Sequence, residues 1–190
     1  MIKDRGNKTL ATKVTTVAHE GVSFDGSTDY LSRASDLVGN VDSKTFTFNA
    51  WVYLLDGNSG TLFISGTHLN RGLLVYIYNT GNIFIQGKNS SGTDILTITT
   101  NAGDIPQNTF VNLKISIDLS NASNRFIVVN DNVLSGLTWT TYTNDFIDFT
   151  KSSHLISYNE DTFLAKNRLS NLFLDYTYRD LSIEANRRLF

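Results

Sequence analysis

The sequence predicts an all-β fold, a two-sheet antiparallel sandwich that ends in a short helix. Three observations support this prediction. Apolar and polar residues alternate with period two in many short segments, clusters of Gly, Asn, Asp and Ser separate these segments, and helical periodicity is nearly absent before Asp180. The chain has 190 residues, which is enough for one sandwich with a hydrophobic core, so no second domain is required.

Alternation is clearest in the segment Thr45–Leu54, where side chains of two kinds fall on opposite faces. Its apolar face predicts a strand whose residues Phe46, Phe48, Ala50, Val52 and Leu54 point to the core. The other face is expected to meet a second layer or to form a binding surface. The remaining predicted strands are 14–18, 21–24, 30–33, 61–65, 73–78, 83–86, 95–100, 110–119, 125–130, 154–158 and 169–178.

Short turns between these segments predict hairpins rather than crossovers. Segments 56–60, 79–82 and 130–132 consist mostly of residues that tolerate a positive φ angle, so neighbouring strands should pair antiparallel. The single proline, Pro106, stands in a predicted loop and leaves the strands uninterrupted.

The two ends of the chain differ from this pattern. Residues 1–13 form a basic N-terminal arm, which includes Lys3, Arg5 and Lys8, and residues 14–178 form the sandwich. Residues 179–190 predict a short helix that Asp180 caps, with arginines in its last turn. The apolar pair Leu189 and Phe190 follows this helix without a C-cap, so we expect the arm and this pair to be assembly contacts.

Composition narrows the classes of partner. A hydrophobic fraction of 41% with 18% charged residues indicates a folded globular protein, and a net charge of -2 offers no field to attract nucleic acid or an anionic membrane. The absence of cysteine excludes disulfides and thiolate metal sites. The N-terminus lacks the apolar stretch of a signal peptide, and no segment is long and apolar enough to insert in a membrane.

Five blocks of sequence resemble the concanavalin A-like lectin/glucanase superfamily, and within it the laminin G-like domains. They read GVSFDGSTDYLSRA (21–34), FTFNAWVYL (46–54), GTLFISG (60–66), FVNLKISIDLSNASNRFIVVNDN (110–132) and LFLDYTYRDLSIEANRR (172–188). The resemblance implies a jelly-roll sandwich. It implies no single function, because this fold hosts lectins, hydrolases, adhesion modules and virion proteins.

The last block has a narrower similarity. Its sequence DYTYRDLSIEANRR (175–188) resembles the closing segment of laminin G-like structural proteins of tailed bacteriophages. The resemblance therefore implies a virion location, with other virion proteins or further copies of this chain as partners.

Residues suited to catalysis are missing. Glycosidases of this superfamily use paired carboxylates on one strand face, but none of the three glutamates, Glu20, Glu160 and Glu184, has an acidic residue two positions away. His19, His68 and His154 stand outside any metal-binding spacing, and no nucleophile or phosphate-loop motif is present. We therefore expect no enzyme activity, with an Asp-based glycosidase as the alternative left open.

No cofactor is expected. Calcium is the alternative, since many laminin G-like relatives bind it at the rim of the sandwich. The oxygen donors available in predicted loops are Asp56, Asn58, Asp104, Asn130 and Asp131. Ordinary turn formation explains these residues better, because no run of acidic residues resembles a calcium loop.

Aromatic side chains mark where a glycan could bind. The candidates are Trp51, Tyr53, Tyr76, Tyr78, Trp139 and Tyr142. Most alternate within strands and are expected in the core or in cross-strand pairs. Trp139 and Tyr142 lie in a Thr-rich segment of weak alternation, so we expect them to be exposed and to contact a carbohydrate or partner together with Asn144 and Asp145.

Two hypotheses follow for the function. The first is a non-catalytic structural or decoration protein of a tailed bacteriophage, on its capsid, tail or fibre. The alternative is a carbohydrate-binding or adhesion module of a cell-surface system, with an extracellular or cell-surface location. Self-association through buried apolar area would favour the first, and saturable glycan binding the second.

Overall fold

The fold is described by a computed structural model for residues 21–37, 39–55, 57–158 and 166–190. It contains thirteen strands and one helix in this part of the chain. The strands are β1 (Val22–Ser23), β2 (Leu31–Arg33), β3 (Thr45–Leu54), β4 (Gly60–Gly66), β5 (Arg71–Ile77), β6 (Ile83–Lys88), β7 (Asp94–Thr99), β8 (Phe110–Asp118), β9 (Arg125–Val129), β10 (Asn132–Val133), β11 (Thr138–Tyr142), β12 (His154–Ile156) and β13 (Asn167–Asp175), and the helix is α1 (Glu184–Arg187). The strand expected over 14–18 lies outside the described residues.

These strands form two antiparallel sheets. The six-stranded sheet has the order β1-β13-β3-β8-β9-β10, and the seven-stranded sheet has the order β11-β7-β6-β5-β4-β12-β2. Consecutive strands β4 to β7 pair as hairpins, as the turn residues predicted. The predicted all-β sandwich with a short C-terminal helix is therefore confirmed.

The core lies between the sheets, and β3 is its central strand. Phe46, Phe48, Ala50, Val52 and Leu54 are all fully buried, which confirms the predicted inward face. The ring of Phe48 lies 6.4 Å from that of Phe63 on β4, between centroids, so β3 contacts the opposite sheet directly. Apolar side chains of β5 to β9 complete the same cluster.

The outer face of the six-stranded sheet is covered by residues 176–190, which we call the closing segment. Thr47 on β3 donates a hydrogen bond to the carbonyl of Thr177 over 2.8 Å, and the amide of Arg179 donates to Ser116 Oγ on β8 over 2.9 Å. Thr47 and Ser116 stand opposite each other in the β3–β8 register and are both buried. Of the two alternatives predicted for the outer face of β3, a second layer or a binding surface, the structure shows a second layer at Thr47.

The helix in the closing segment is shorter than predicted. It spans one turn, Glu184–Arg187, and its N-cap is Ile183 rather than Asp180. The Asp180 carboxylate instead accepts hydrogen bonds from the amide and hydroxyl of Ser182, which closes a turn before the helix. An Asp two residues before a Ser satisfies this local turn as readily as a helix N-cap, and the turn is formed here.

Two strands escaped the sequence analysis. β10 follows β9 across a two-residue turn in which Asn130 and Asp131 have φ angles of 48° and 65°, as expected for a hairpin of primed type. β11 is an edge strand that pairs with β7 and contains a bulge between Trp139 and Thr141. That bulge shifts the register and explains the weak alternation of the segment.

The FDG motif of the first block forms a compact loop after β1. The Asp25 carboxylate accepts hydrogen bonds from the backbone amides of Ser27, Thr28 and Asp29, at 2.8, 2.9 and 3.1 Å. The hydroxyl of Ser27 and these amides hold the pKa of Asp25 well below its usual range. The acidic residue of the motif thus stabilises a turn.

Among the described residues, no helix has the length and hydrophobicity required to span a membrane.

Candidate functional site

The outer face of the seven-stranded sheet presents a group of aromatic and polar side chains without a covering layer among the described residues. We call this group the aromatic face. It borders a depression of about 260 Å³. Its lining consists of Thr61, His68, Arg71, Leu74, Tyr76, Tyr78 and Phe84.

Strand register explains why these side chains share one surface. Tyr76 on β5 stands opposite Thr61 on β4 and Phe84 on β6, and directly opposite residues of an antiparallel pair point to the same side of the sheet. Their chain neighbours Val75, Ile77 and Ile85 point to the core and are fully buried. Period two thus sends one set of apolar residues inward and an aromatic set outward.

The three aromatic rings form a continuous row. The ring centroids of Tyr76 and Tyr78 are 4.9 Å apart, and those of Tyr78 and Phe84 are 6.3 Å apart, both in edge-to-face geometry. Tyr78 is 38% exposed. The row therefore offers apolar ring surface to solvent in a fixed orientation.

A cation stands beside this row. Arg71 Nε donates to Gln86 Oε1 over 2.6 Å, and a terminal nitrogen of the same guanidinium donates to the carbonyl oxygen of His68. Burial lowers the pKa of Arg71 from its ordinary value, and the negative charge of Asp94 opposes that shift. The guanidinium is held in place by two neutral acceptors, which leaves its positive charge available to a ligand.

The chain geometry that positions Arg71 depends on Gly66 at the end of β4. Gly66 has a φ angle of 96°, and a Cβ placed there would lie 2.2 Å from the carbonyl oxygen of Asn70. Only glycine fits this close approach. The tight β4–β5 hairpin therefore holds His68 and Arg71 over the outer face.

Tyr76 is the more buried of the two tyrosines in the row, and its hydroxyl is hydrogen-bonded. Burial raises the pKa of Tyr76, and a hydrogen bond with the hydroxyl of Ser59 opposes this rise. The phenol is therefore neutral at physiological pH and can both donate and accept hydrogen bonds.

Threonine hydroxyls extend the aromatic face toward the edge strand β11. Thr99 on β7 stands opposite Phe84 and Thr138, while Thr97 stands opposite Gln86 and Thr141. These threonines are partly or fully exposed. The outer face thus combines ring surface, a cation and hydroxyl groups, which are the elements that bind polar ligands with apolar ring faces.

Trp139 and Tyr142, which the sequence placed on an open surface, point the other way. They stand opposite Ile98 and Leu96, whose side chains are buried in the core, and both pack against the core cluster. The Arg125 guanidinium carbon lies 4.2 Å from the ring centre of Trp139. Their expected exposure is therefore corrected to partial burial, and their role as ligand contacts stays a prediction.

The hydroxyl of Tyr142 is also engaged. It donates to the carbonyl oxygen of Asp118 over 2.6 Å, and burial raises the pKa of Tyr142 to about 12. Nearby, Asn144 is exposed and accepts from Lys44 Nζ, while Asp145 accepts from Asn89 Nδ2. The structure brings the four residues to one end of β11, where most of their polar atoms serve intramolecular bonds.

The predicted assembly residues are described only in part. Leu189 is 61% exposed, whereas the ring of Phe190 lies 5.1 Å from that of Phe173, between centroids, and is partly covered. Lys3, Arg5 and Lys8 lie outside the described residues. Their role in assembly stays a prediction.

Within the described ranges, no group of three or more His, Asp or Glu side chains is arranged to hold a metal ion. Of the calcium candidates, Asp104 accepts from the amide of Asn101, and Asp131 forms an ion pair with Lys114. Asp56 is not among the described residues. His154 stacks on Phe63, and burial lowers its pKa, so it belongs to the packing of the sandwich.

Comparison with known proteins relates this chain to several solved structures. A native heptameric SAP-like pentraxin from Limulus polyphemus matches with a TM-score of 0.60 at 12% identity, over 84% of this chain and 76% of that one. A carbohydrate-binding module, the CBM40 of the Ruminococcus gnavus IT-sialidase bound to α2,3-sialyllactose, matches with a TM-score of 0.58 at 10% identity, over 86% and 95%. Domains LG4-5 of the mouse laminin α1 chain match with a TM-score of 0.54 at 14% identity, over 87% and 44%.

These matches show a shared fold. The chain spans less than half the length of the laminin chain it matches. No protein-family model matches the chain, and no curated protein matches it in sequence. The jelly-roll architecture of concanavalin A-like and laminin G-like domains is therefore confirmed at the level of fold, and none of these matches bears on a bacteriophage.

Several residues of the aromatic face were missed by the sequence analysis. Tyr76 and Tyr78 were among its aromatic candidates but were assigned mainly to core or cross-strand packing. His68 was weighed only as a metal ligand, and Phe84 and Arg71 were not considered. In β5 both faces are apolar, because Leu74 alternates with Leu73 and Val75. The signal that could have separated the faces is Gln86 on β6, a polar residue next to the apolar Ile85 and opposite Leu74 in the register.

Proposed function

We propose that this protein is a non-catalytic carbohydrate-binding module that holds its glycan on the aromatic face. The observation that carries the proposal is the row formed by Tyr76, Tyr78 and Phe84 beside the Arg71 guanidinium. Sugar rings have apolar faces that stack on aromatic rings, and their hydroxyls bond to Arg and Thr side chains at the edges of such a row.

The shared fold supports this proposal. The CBM40 that matches this chain was solved with α2,3-sialyllactose bound, and its chain is matched over 95% of its length. The aromatic face of the present chain supplies its own ring surface and hydrogen-bonding groups, so the proposal rests on residues of this chain and not on the match alone.

Substitution of one ring tests the site. Tyr78→Ala should weaken binding to the glycan selected on an array by at least about tenfold, which corresponds to about 1.4 kcal/mol. Tyr78→Phe should keep most of the affinity, because it keeps the ring. Phe146→Ala is the matched control, since Phe146 is an exposed aromatic on another part of the surface. Equal affinity of Tyr78→Ala and the intact protein, measured by calorimetry, would contradict the proposal.

The absence of catalysis is tested on the same glycans. We expect no release of reducing ends from β-glucan, alginate or peptidoglycan above a heat-inactivated control. Release that disappears on substitution of one aspartate would show instead that the protein is a glycosidase.

A second proposal concerns location. We infer, from the resemblance of residues 175–188 to closing segments of bacteriophage structural proteins, that the module sits on a virion and attaches through its ends. Leu189 is exposed and suits such a contact. Leu189→Ser and a triple substitution of Lys3, Arg5 and Lys8 by Gln should each reduce self-association or particle binding in light scattering, and unchanged assembly in both variants would argue for a free extracellular module.

A further inference from the structure

A second pocket lies on the opposite side of the molecule, between the outer face of the six-stranded sheet and the closing segment. Its volume is about 420 Å³, within the range of about 300 to 1,000 Å³ usual for small-ligand sites. The sheet contributes Trp51, Asn112 and Lys114, the β9–β10 turn contributes Asn130 and Asp131, and the closing segment contributes Arg187, Arg188 and Phe190. We call it the closing-segment pocket.

Strand register brings the polar floor of this pocket together. In the β3–β8 pairing, Trp51 stands opposite Asn112 and Asn49 stands opposite Lys114. All four side chains point away from the core, because Ala50 and Leu113 between them are buried inside the sandwich. The floor of the pocket is thus formed by two residue pairs of β3 and β8 that lie on either side of the inward-facing pair Ala50 and Leu113.

Two hydrogen bonds fix the orientation of the side-chain amide of Asn112, a residue that lines the pocket. Asn49 Nδ2 donates to the carbonyl of Asn171 over 3.0 Å, which turns Asn49 Oδ1 toward Asn112. Asn112 Nδ2 donates to that oxygen over 2.9 Å. Because a backbone carbonyl can only accept, the orientation of both amides is set, and Asn112 Oδ1 remains as an acceptor.

That acceptor lacks a partner. Asn112 is 3% exposed, and its Oδ1 atom has no hydrogen-bond donor among the described residues. Buried polar atoms in folded proteins are nearly always hydrogen-bonded. Asn112 lines the pocket, so a ligand hydroxyl or N–H group that reaches this atom would satisfy it.

Two cations in the same pocket share the carboxylate of Asp131 as their ion-pair partner. A terminal nitrogen of Arg187 also donates to the neutral backbone carbonyls of Leu181 and Ser182, over 2.7 and 2.9 Å. Lys114 is 4% exposed, and its Nζ atom lies 3.4 Å from Asp131 Oδ1, while Arg187 Nε lies 3.9 Å from the same oxygen. Arg187 Nε forms no hydrogen bond among the described residues. Asp131 is 63% exposed, so water competes strongly for its carboxylate. The positive charge at the pocket is therefore incompletely neutralised.

We propose that the closing-segment pocket binds an acidic sugar residue, whose carboxylate pairs with Lys114 and Arg187 and whose hydroxyl donates to Asn112 Oδ1. Trp51 and Phe190 supply apolar wall for the sugar ring. Lys114 and Arg187 carry two positive charges against the single carboxylate of Asp131, and Arg188 is paired with Glu184, so one positive charge remains to match a monoanionic carboxylate. The acceptor distinguishes a hydroxylated ligand from a simple anion. The site is separate from the aromatic face, so it does not depend on the function proposed above.

The test compares ligands that differ in one group. Sodium D-glucuronate, D-glucose and sodium acetate are titrated while the indole N–H signal of Trp51 is followed by NMR, with Trp139→Phe used to assign the two tryptophan signals. We expect saturable shifts with glucuronate and at least about tenfold weaker binding of glucose and acetate. Equal binding of glucose would exclude the carboxylate contact, equal binding of acetate would reduce the site to one for anions, and no saturable shift with glucuronate would overturn the proposal.

Two substitutions test the charges in opposite directions. Lys114→Met should lower glucuronate affinity at least about tenfold, whereas Asp131→Asn should raise it, because it removes the competing carboxylate and asparagine tolerates the positive φ angle of the turn. Lys88→Met, which removes a lysine paired with Asp94 on the seven-stranded sheet, is the control. If Lys114→Met fails to fold, the gain from Asp131→Asn still decides, and a loss or no change in that variant would contradict the proposal. Glycan binding lost in Tyr78→Ala but kept in Lys114→Met separates the two sites.

Discussion

The two outer faces of this sandwich start from similar residues and end in different environments. Both present threonines at outward positions of their strands, Thr47 on the six-stranded sheet and Thr97, Thr99 and Thr138 on the seven-stranded sheet. Thr47 is fully buried under the closing segment and bonds to it, whereas the other three are partly or fully exposed. The same side chain therefore serves packing on one face and ligand access on the other.

This difference shows how the fold divides its tasks. On the six-stranded sheet, hydroxyl and amide groups of the strands satisfy backbone groups of the closing segment, so they contribute to stability. On the seven-stranded sheet, no layer formed by the described residues covers the aromatic face. Substitutions there should therefore change ligand binding and have little effect on stability.

The largest effect on stability is expected in the core that the two sheets share. Phe48→Ala should lower the free energy of unfolding by about 3 to 5 kcal/mol, since Phe48 is fully buried and contacts Phe63 across the sandwich. Urea denaturation measures the change, with Phe48→Leu as the milder control. A free energy of unfolding within about 0.5 kcal/mol of that of the intact protein would show that the assignment of the β3 faces is wrong.

An intermediate effect should separate the faces directly. Thr47→Val keeps the shape of the side chain but leaves the carbonyl of Thr177 without the hydroxyl donor, so we expect a loss of about 1 to 3 kcal/mol. Thr99→Val on the bare face is the matched control and should change stability by no more than about 0.5 kcal/mol. Equal effects of the two substitutions in urea denaturation would contradict the distinction between the faces.

The smallest effect concerns the pH dependence of the closing segment. The hydroxyl of Thr177 and then the guanidinium of Arg179 lower the pKa of Asp175 in the folded state. Because the folded pKa is below the unfolded pKa, this contribution to stability is present above the unfolded pKa and is lost as pH falls through the folded pKa.

Asp175→Asn should therefore destabilise the protein at pH 7 by less than about 1 kcal/mol, because the ion pair is partly exposed and screened by solvent. The difference from the intact protein should shrink as the pH is lowered toward 2. Urea denaturation at several pH values checks this, and a difference that grows with acidity would contradict the assigned pKa shift.

Much of the architecture could be read from local pattern. The bounds of β3 and its buried face agree with prediction, because ten alternating residues contain enough period-two signal to define both. β10 and β11 were missed since one has two residues and the other contains a bulge, and neither preserves a regular alternation. Asp180 was wrongly predicted to be the helix N-cap, because the turn that it forms with Ser182 and a helix N-cap have the same sequence signature.

The candidate sites were harder to predict, for a physical reason. Trp139 was expected on an open surface because its segment is rich in threonine, but the bulge in β11 sends the threonines outward and the indole toward Ile98. Tyr76 and Tyr78 were expected in packing because aromatics in strands usually pack. In both cases the residue type correctly indicated that the ring would make a contact. The face of the sheet on which the ring lies determined whether that contact is with the core or on the outer surface.

The sequence by itself determined the all-β class, the inward face of β3, the hairpin turns and the absence of cysteine chemistry, because these follow from period, turn residues and composition. Only the tertiary structure decided which outer face is covered, which aromatics form a row and how Asn112, Lys114 and Arg187 come to share one pocket. These features depend on pairing between strands far apart in the chain and on where the closing segment packs. Period two separates the two sides of each strand, but it cannot show what lies across from either side.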